Sequence, residues 1–232
     1  MNIRPTRFIR PALGTLCVAT LATLQACNGD ACFGVDACFN NNNNNTQTVA
    51  LSGTAATGGA LASAQVTVSC AAGSATTLTD GGGNYNVTVN AALPCVITVT
   101  SGGTSLHSLA YAGGTFNTTP ETELMLVYLA AQLGTNAATL IGNFQGNSRY
   151  QQAMNSANTV QAAQSAVVTN LQQRYSVALT APAFLTTSFT VGQPGVDSDL
   201  AALAKAGAID SNGMPDPAAV SLLTQAGTAH PL

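Results

Sequence analysis

The hydrophobic rhythm of this 232-residue chain changes once, at Thr118–Thr119, and that change sets what it can fold into. Before it, apolar and small polar residues alternate in Val49-Ala-Leu51-Ser-Gly53, Ala64-Gln-Val66-Thr-Val68, Tyr85-Asn-Val87-Thr-Val89 and Val96-Ile-Thr-Val99. Alternation with period two, in β-branched residues, is the signature of half-buried strands. Gly58-Gly59, Ala72-Gly73, Asp80-Gly-Gly-Gly83 and Gly102-Gly103 punctuate the segments. Residues 47–118 are therefore predicted to form a small antiparallel β-sandwich.

After the change the period is helical. Thr119-Pro120-Glu121 is a helix start: a capping threonine, proline at the first helical position and an acid in the first turn. Leu124 to Leu133 is nearly all apolar and predicts a buried helix ended by Gly134. Val160, Ala163, Val167, Leu171 and Tyr175 form one stripe of a helix over 157–175, with Gln, Ser and Asn opposite. Shorter helices are predicted over Asp197–Ala206 and Asp216–Ala226, each followed by glycine (Gly207, Gly227). The predicted class is α+β, with the sandwich followed by an α-helical domain over 119–232. No linker separates the two parts, so they are expected to pack rigidly.

Charged residues make up 6% of the chain, against ~25% in an ordinary soluble domain. Thr, Ser, Asn and Gln must supply the polar surface. Arg4, Arg7 and Arg10 hold half of the basic charge, and no acid precedes Asp30. Beyond residue 26, Arg149, Arg174 and Lys205 face nine acids, a net charge of −6. Three cations cannot neutralise a run of phosphates, so no nucleic-acid partner is expected.

Those first arginines open a basic segment, and Pro11–Leu24 follows as 14 uncharged residues. A stable transmembrane helix needs about 20. The layout is that of a secretory signal peptide, residues 1–26. Leu24-Gln25-Ala26-Cys27 resembles the lipobox of bacterial lipoproteins. The resemblance implies diacylglycerol on the Cys27 sulfur, cleavage before it and acylation, by palmitate or a similar chain, of the new amino group. Two or three acyl chains give stable anchoring where one is reversible. Asn28 is not the aspartate that marks inner-membrane retention in that family. The expected location is the cell envelope, anchored by lipid to the outer membrane, at its periplasmic face or the cell surface. Residues 27–46, with six consecutive asparagines at Asn40–Asn45, are read as a disordered tether.

With Cys17 removed and Cys27 lipidated, Cys32, Cys38, Cys70 and Cys95 remain, an even number for an oxidising compartment. Three pairings exist, and proximity favours Cys32–Cys38 with Cys70–Cys95. Parity supports the second pair: Cys70 shares a face with Val66 and Val68, and Cys95 with Ile97 and Val99. A bridge closing a loop of about 26 residues contributes roughly 3.5 kcal/mol by loop-closure entropy. Metal binding fits the four poorly, for no Cys-x-x-Cys spacing or nearby histidine accompanies them.

Val49-x-Leu51-x-Gly53, Leu61-x-x-Ala64-x-Val66-x-Val68 and Thr79-Asp80-x-x-Gly83-x-Tyr85 together resemble the carboxypeptidase regulatory-like domain, a transthyretin-like sandwich. The resemblance implies an inward Tyr85 and a tight Asp80–Gly83 hairpin. It specifies fold far better than activity. The Thr-Pro-x-Thr-Glu-Leu junction and the Ala/Gln-rich helix are loosely similar to helical halves of uncharacterised proteobacterial envelope proteins, which carry no known activity.

Reactive constellations are scarce. His107 and His230 are the two histidines, and no Gly-x-Ser-x-Gly elbow accompanies them. Glu121 and Glu123, like Asp197 and Asp199, are two apart at a helix start, where complementing the helix dipole explains them. Asp210-Ser-Asn212-Gly213-Met-Pro-Asp216 spaces oxygen ligands as calcium loops do, but lacks their sixth-position glycine and distant glutamate. Asn-Gly reads as a turn and Asp216 as a helix cap. No catalytic residue, metal or cofactor is assigned, and the chain is not read as an enzyme. The expected role is structural, or interaction with an envelope protein partner. The alternative is a ligand-binding module for glycan or a small apolar molecule.

Overall fold

A computed structural model describes residues 46–232, and within it one long strand organises the sheet. The strands are β1 (Gln47–Thr54), β2 (Gln65–Ala72), β3 (Ser74–Leu78), β4 (Asn84–Ser101), β5 (Thr104–Ala110) and β6 (Gly114–Thr115). The 18 residues of β4 serve two sets of neighbours. Its first half, Asn84–Ala91, pairs with β1; its second half pairs with β2 on one side and β5 on the other. The order is β3-β2-β4-β1-β6, with β5 on β4.

Two sequence expectations change here. Tyr85–Val89 and Val96–Val99 are one strand, because the chain stays extended through Ala91–Pro94 although proline offers no N–H to a ladder. The register irregularity between Cys70 and Ala72 lies opposite this stretch. The sheet is also mixed rather than wholly antiparallel: β6 runs parallel to β1, pairing Leu51 with Gly114 and Ser52 with Thr115.

Alternation places Val49, Leu51, Val66, Val68, Val87, Val89, Ile97 and Val99 in the core. Small polar residues occupy the opposite face. One row crosses four strands as Thr76, Thr67, Thr98 and His107, each opposite the next. Between Thr46 and Thr118 the sole charged side chain is Asp80. Tyr85 is buried, and its hydroxyl donates to the carbonyl of Phe116. Burial raises that phenol above its ordinary pKa.

Six helices follow: α1 (Pro120–Gln132), α2 (Ala137–Asn143), α3 (Ser148–Asn155), α4 (Ala157–Tyr175), α5 (Val196–Lys205) and α6 (Pro217–Thr228). Thr119 caps α1, with its hydroxyl accepting from the Thr122 N–H and the Thr122 hydroxyl accepting from the Thr119 N–H. Gly134, at φ +72°, follows its end. Residues 134–156, to which the sequence pattern assigns no element, hold α2 and α3, capped by Asn136 and Asn147. In α4, Val160, Ala163, Val167 and Leu171 are buried and Tyr175 is half-buried. Helix α5 begins one residue earlier than expected, at Val196 after Gly195.

Gly227 is the other correction. It does not stop α6; it lies inside the helix, which continues to Thr228. A Cβ there would come within 2.4 Å of the Tyr128 carbonyl oxygen and 2.8 Å of the Ala131 Cβ. The glycine lets α6 lie against the backbone of α1.

One hydrophobic core runs from the sheet into the helices without a break. Asn117 ties the two at their junction. Its side-chain amide donates to the carbonyls of Phe184 (2.8 Å) and Thr187 (2.7 Å), its carbonyl oxygen accepts from the Thr54 N–H, and its own N–H donates to the Leu185 carbonyl. Among the described residues no single helix is long and apolar enough to cross a membrane.

Candidate functional site

Three places gather groups with chemical potential: the seam between β5 and α1, the buried acids around α5, and a cleft beside α4.

At the seam, His107 sits opposite Thr98 of β4, and its backbone N–H and C=O are directed away from β4, toward α1. Helix α1 supplies their partners. Glu123 Oε2 accepts from the His107 N–H at 2.7 Å and lies 3.0 Å from His107 Nδ1, and the Thr122 hydroxyl donates to the His107 carbonyl at 2.8 Å. Side chains of the first helical turn thus take the place of a missing strand. A histidine held by a carboxylate is two-thirds of a hydrolytic triad. Its second ring nitrogen has no hydroxyl partner among the described residues, so the pair closes a sheet edge. His230 lies elsewhere, in the tail that docks on α1 through the Gln132 amide.

The acids of α5 do more than complement a dipole. Asp199 is buried and accepts from the N–H groups of Thr180 and Ala181 and from the Thr180 hydroxyl. Asp197 accepts from the Gly192 N–H at 2.8 Å. Together they fix the loop from Ser176 to Gly195. Glu121, two residues before Glu123, turns inward: it is 1% exposed, and neither carboxylate oxygen has a hydrogen-bond partner. Burial, and then the nearby Asp199 charge, push its carboxyl well above the ordinary value of 4.5.

This shift has a definite sign. Above pH 4.5 the unfolded chain releases the Glu121 proton while the folded chain keeps it, so stability falls as pH rises through that window. Glu121→Gln removes the effect. Relative to the parent, the variant is expected to melt progressively higher as the pH rises from 4.5 toward 8. The gap should close as the pH approaches 4.5. Melting curves that stay parallel from pH 4.5 to 8 would show that Glu121 carries no such proton.

The remaining acids shape turns. Asp80 accepts from the N–H and the side-chain amide of Asn84 and then from the Gly82 N–H, which lowers its pKa, as the expected hairpin requires. Asp210 Oδ1 accepts from Asn212 and Met214 in the same manner, and Asp216 caps α6 through the Ala218 N–H. Both outer carboxylates of the 210–216 segment are engaged as turn and cap. Gly213 closes that turn against Thr57 of the sheet region. Among the described residues no three His, Cys, Asp or Glu side chains converge as metal ligands.

The cleft, of ≈ 320 Å³, lies between α4 and the 182–186 segment, with Tyr111 as a wall. The Tyr111 ring meets buried Phe116 edge-on, with centroids 5.2 Å apart at 84°. Gln164 Oε1 accepts from the Leu185 N–H at 3.1 Å, and Ser165 Oγ donates to the Gln161 carbonyl. Sequence reasoning missed this cleft. Gln161, Gln164 and Ser165 are visible as one helical face, but their proximity to Tyr111 depends on tertiary folding.

Cys70 and Cys95 face each other across β2 and β4 and are joined at 2.02 Å. Cys27, Cys32 and Cys38 lie outside the described residues, as do the expected signal segment and all but the last residue of the expected tether. No protein family model, curated protein or solved structure matches the chain.

Proposed function

We propose that the chain is an exported lipoprotein, held by acyl chains on Cys27 in the cell envelope, whose body serves a non-catalytic structural or interaction role. The basic start, the 14-residue apolar stretch and Leu24-Gln25-Ala26-Cys27 support the anchor. The Cys70–Cys95 pair is consistent with an oxidising compartment. One observation carries the non-catalytic reading: apart from Glu121, which is buried without a partner, the described carboxylates and the strand histidine are spent on holding the fold. Glu123 and His107 close an edge, Asp197 and Asp199 hold a loop, and Asp80, Asp210 and Asp216 shape turns and a cap.

The sheet's similarity to the carboxypeptidase regulatory-like pattern belongs to this reading. Val49, Leu51, Val66, Val68 and Tyr85 are inward, Gly53 faces Tyr85, and Asp80 makes the turn. Replacement of Cys27 by Ser is expected to move the protein from the detergent phase to the aqueous phase, or to leave uncleaved precursor. Phase partitioning with intact mass measurement checks this. A Cys27→Ser protein that partitions like the parent and starts at the same residue would end the anchor proposal.

A further inference from the structure

We propose that the cleft between α4 and the 182–186 segment binds a neutral sugar unit, with Tyr111 stacking on the ring and Gln164 bonding its hydroxyls. The inference does not rest on the lipid anchor.

The walls are fixed before any ligand arrives. Phe116 packs against the Tyr111 ring at 84°, with centroids 5.2 Å apart. Asn117 holds the carbonyls of Phe184 and Thr187, and Asp199 holds the N–H groups of Thr180 and Ala181. Pre-ordered walls spare the entropy of assembling a site on binding. Gln164 is positioned by its acceptor oxygen, which takes the Leu185 N–H. Its Nε2 group therefore points its donors elsewhere, and no protein acceptor takes them among the described residues. The Ser165 hydroxyl spends its proton on the Gln161 carbonyl and keeps its lone pairs free.

Chemistry selects the ligand class. No lining residue is charged, so neither an anion nor a cation would find a counter-charge. A purely apolar ligand would strip water from the Gln164 amide and the Ser165 hydroxyl without replacing it, which costs free energy at each group. A pyranose has one face of C–H groups for an aromatic ring and an edge of hydroxyls for an amide donor and a hydroxyl acceptor. Gln161, Pro182 and Thr186 form an exposed rim, so a sugar within a longer polymer can enter from the side.

The test is saturation-transfer NMR on the full chain, in a detergent without a sugar headgroup. The probes are N-acetylglucosamine, glucose, galactose and their β-linked disaccharides, with glucuronate and indole as charged and apolar comparators. At least one neutral sugar should bind, with a Kd in the range of about 0.1–10 mM. Gln164→Glu keeps the acceptor for Leu185 and deletes the donor; Thr186→Trp fills the cleft from the exposed rim. Each should weaken binding roughly tenfold or more, without a change in melting temperature that would signal unfolding. No transfer to any neutral sugar overturns the proposal, as does binding unaffected by both variants or response to indole or glucuronate alone. If the lipid reading fails instead, the protein will stay soluble without detergent and still bind.

Discussion

Replacing Gly53 with alanine is expected to destabilise the fold by about 3–5 kcal/mol, a large share of the total stability of a single domain. Gly53 is buried in β1 directly opposite Tyr85 of β4. A Cβ built on it would stand 2.0 Å from the Phe116 carbonyl oxygen and 2.7 Å from the Tyr85 hydroxyl. Those two atoms are donor and acceptor of the same buried hydrogen bond. Neither can give way cheaply: one belongs to the backbone beside the sheet, the other to a ring packed in the core. The methyl must therefore push β1 off β4 or break the bond, leaving a buried carbonyl unmet. Gly59→Ala is the control, because its Cβ would meet nothing within 4 Å. Denaturant melts of the two variants should separate widely. A Gly53→Ala midpoint close to that of the control would refute the packing described for Tyr85.

Loss of the Cys70–Cys95 bridge is expected to cost about 3.5 kcal/mol, the loop-closure entropy for a sequence separation of 25. Both cysteines are fully buried in the core, so reductant should reach the bond only when the sheet opens. Denaturant unfolding with and without reductant, together with the Cys70→Ala/Cys95→Ala variant, measures the effect. The reduced protein and the variant should shift together. Two thiols that label freely in the native, unreduced protein would contradict the bridge and remove one support from the exported reading.

What the sequence reveals follows from the range of the forces involved. Parity aligned Cys70 and Cys95 because side-chain direction in a strand is a local property. The caps at Thr119 and Asp216 and the Asp80 turn were legible for the same reason: each is satisfied within four residues. Continuity through Pro94 was hidden, because a break signal in the local pattern is overridden by β2 and β5 flanking the second half of β4. The parallel β6 is two residues long and has no pattern of its own. Gly227 reads as a helix stop until α1 is seen beside it. The pairing of Glu123 with His107, and of Gln164 with the Tyr111 cleft, joins residues whose relation exists only after the helices have docked.

The closure of β5 by α1 bears on how the molecule is built in time. An exported chain leaves its translocation pore in sequence order, so the sheet is delivered before Thr122 and Glu123 can reach the His107 main chain. During that interval the margin of β5 can recruit a strand from another nascent copy. The vulnerable window ends once the first turn of α1 has swung into place. Slow delivery of the residues just beyond 118 would lengthen it, and a holding chaperone on the receiving side would find its need there.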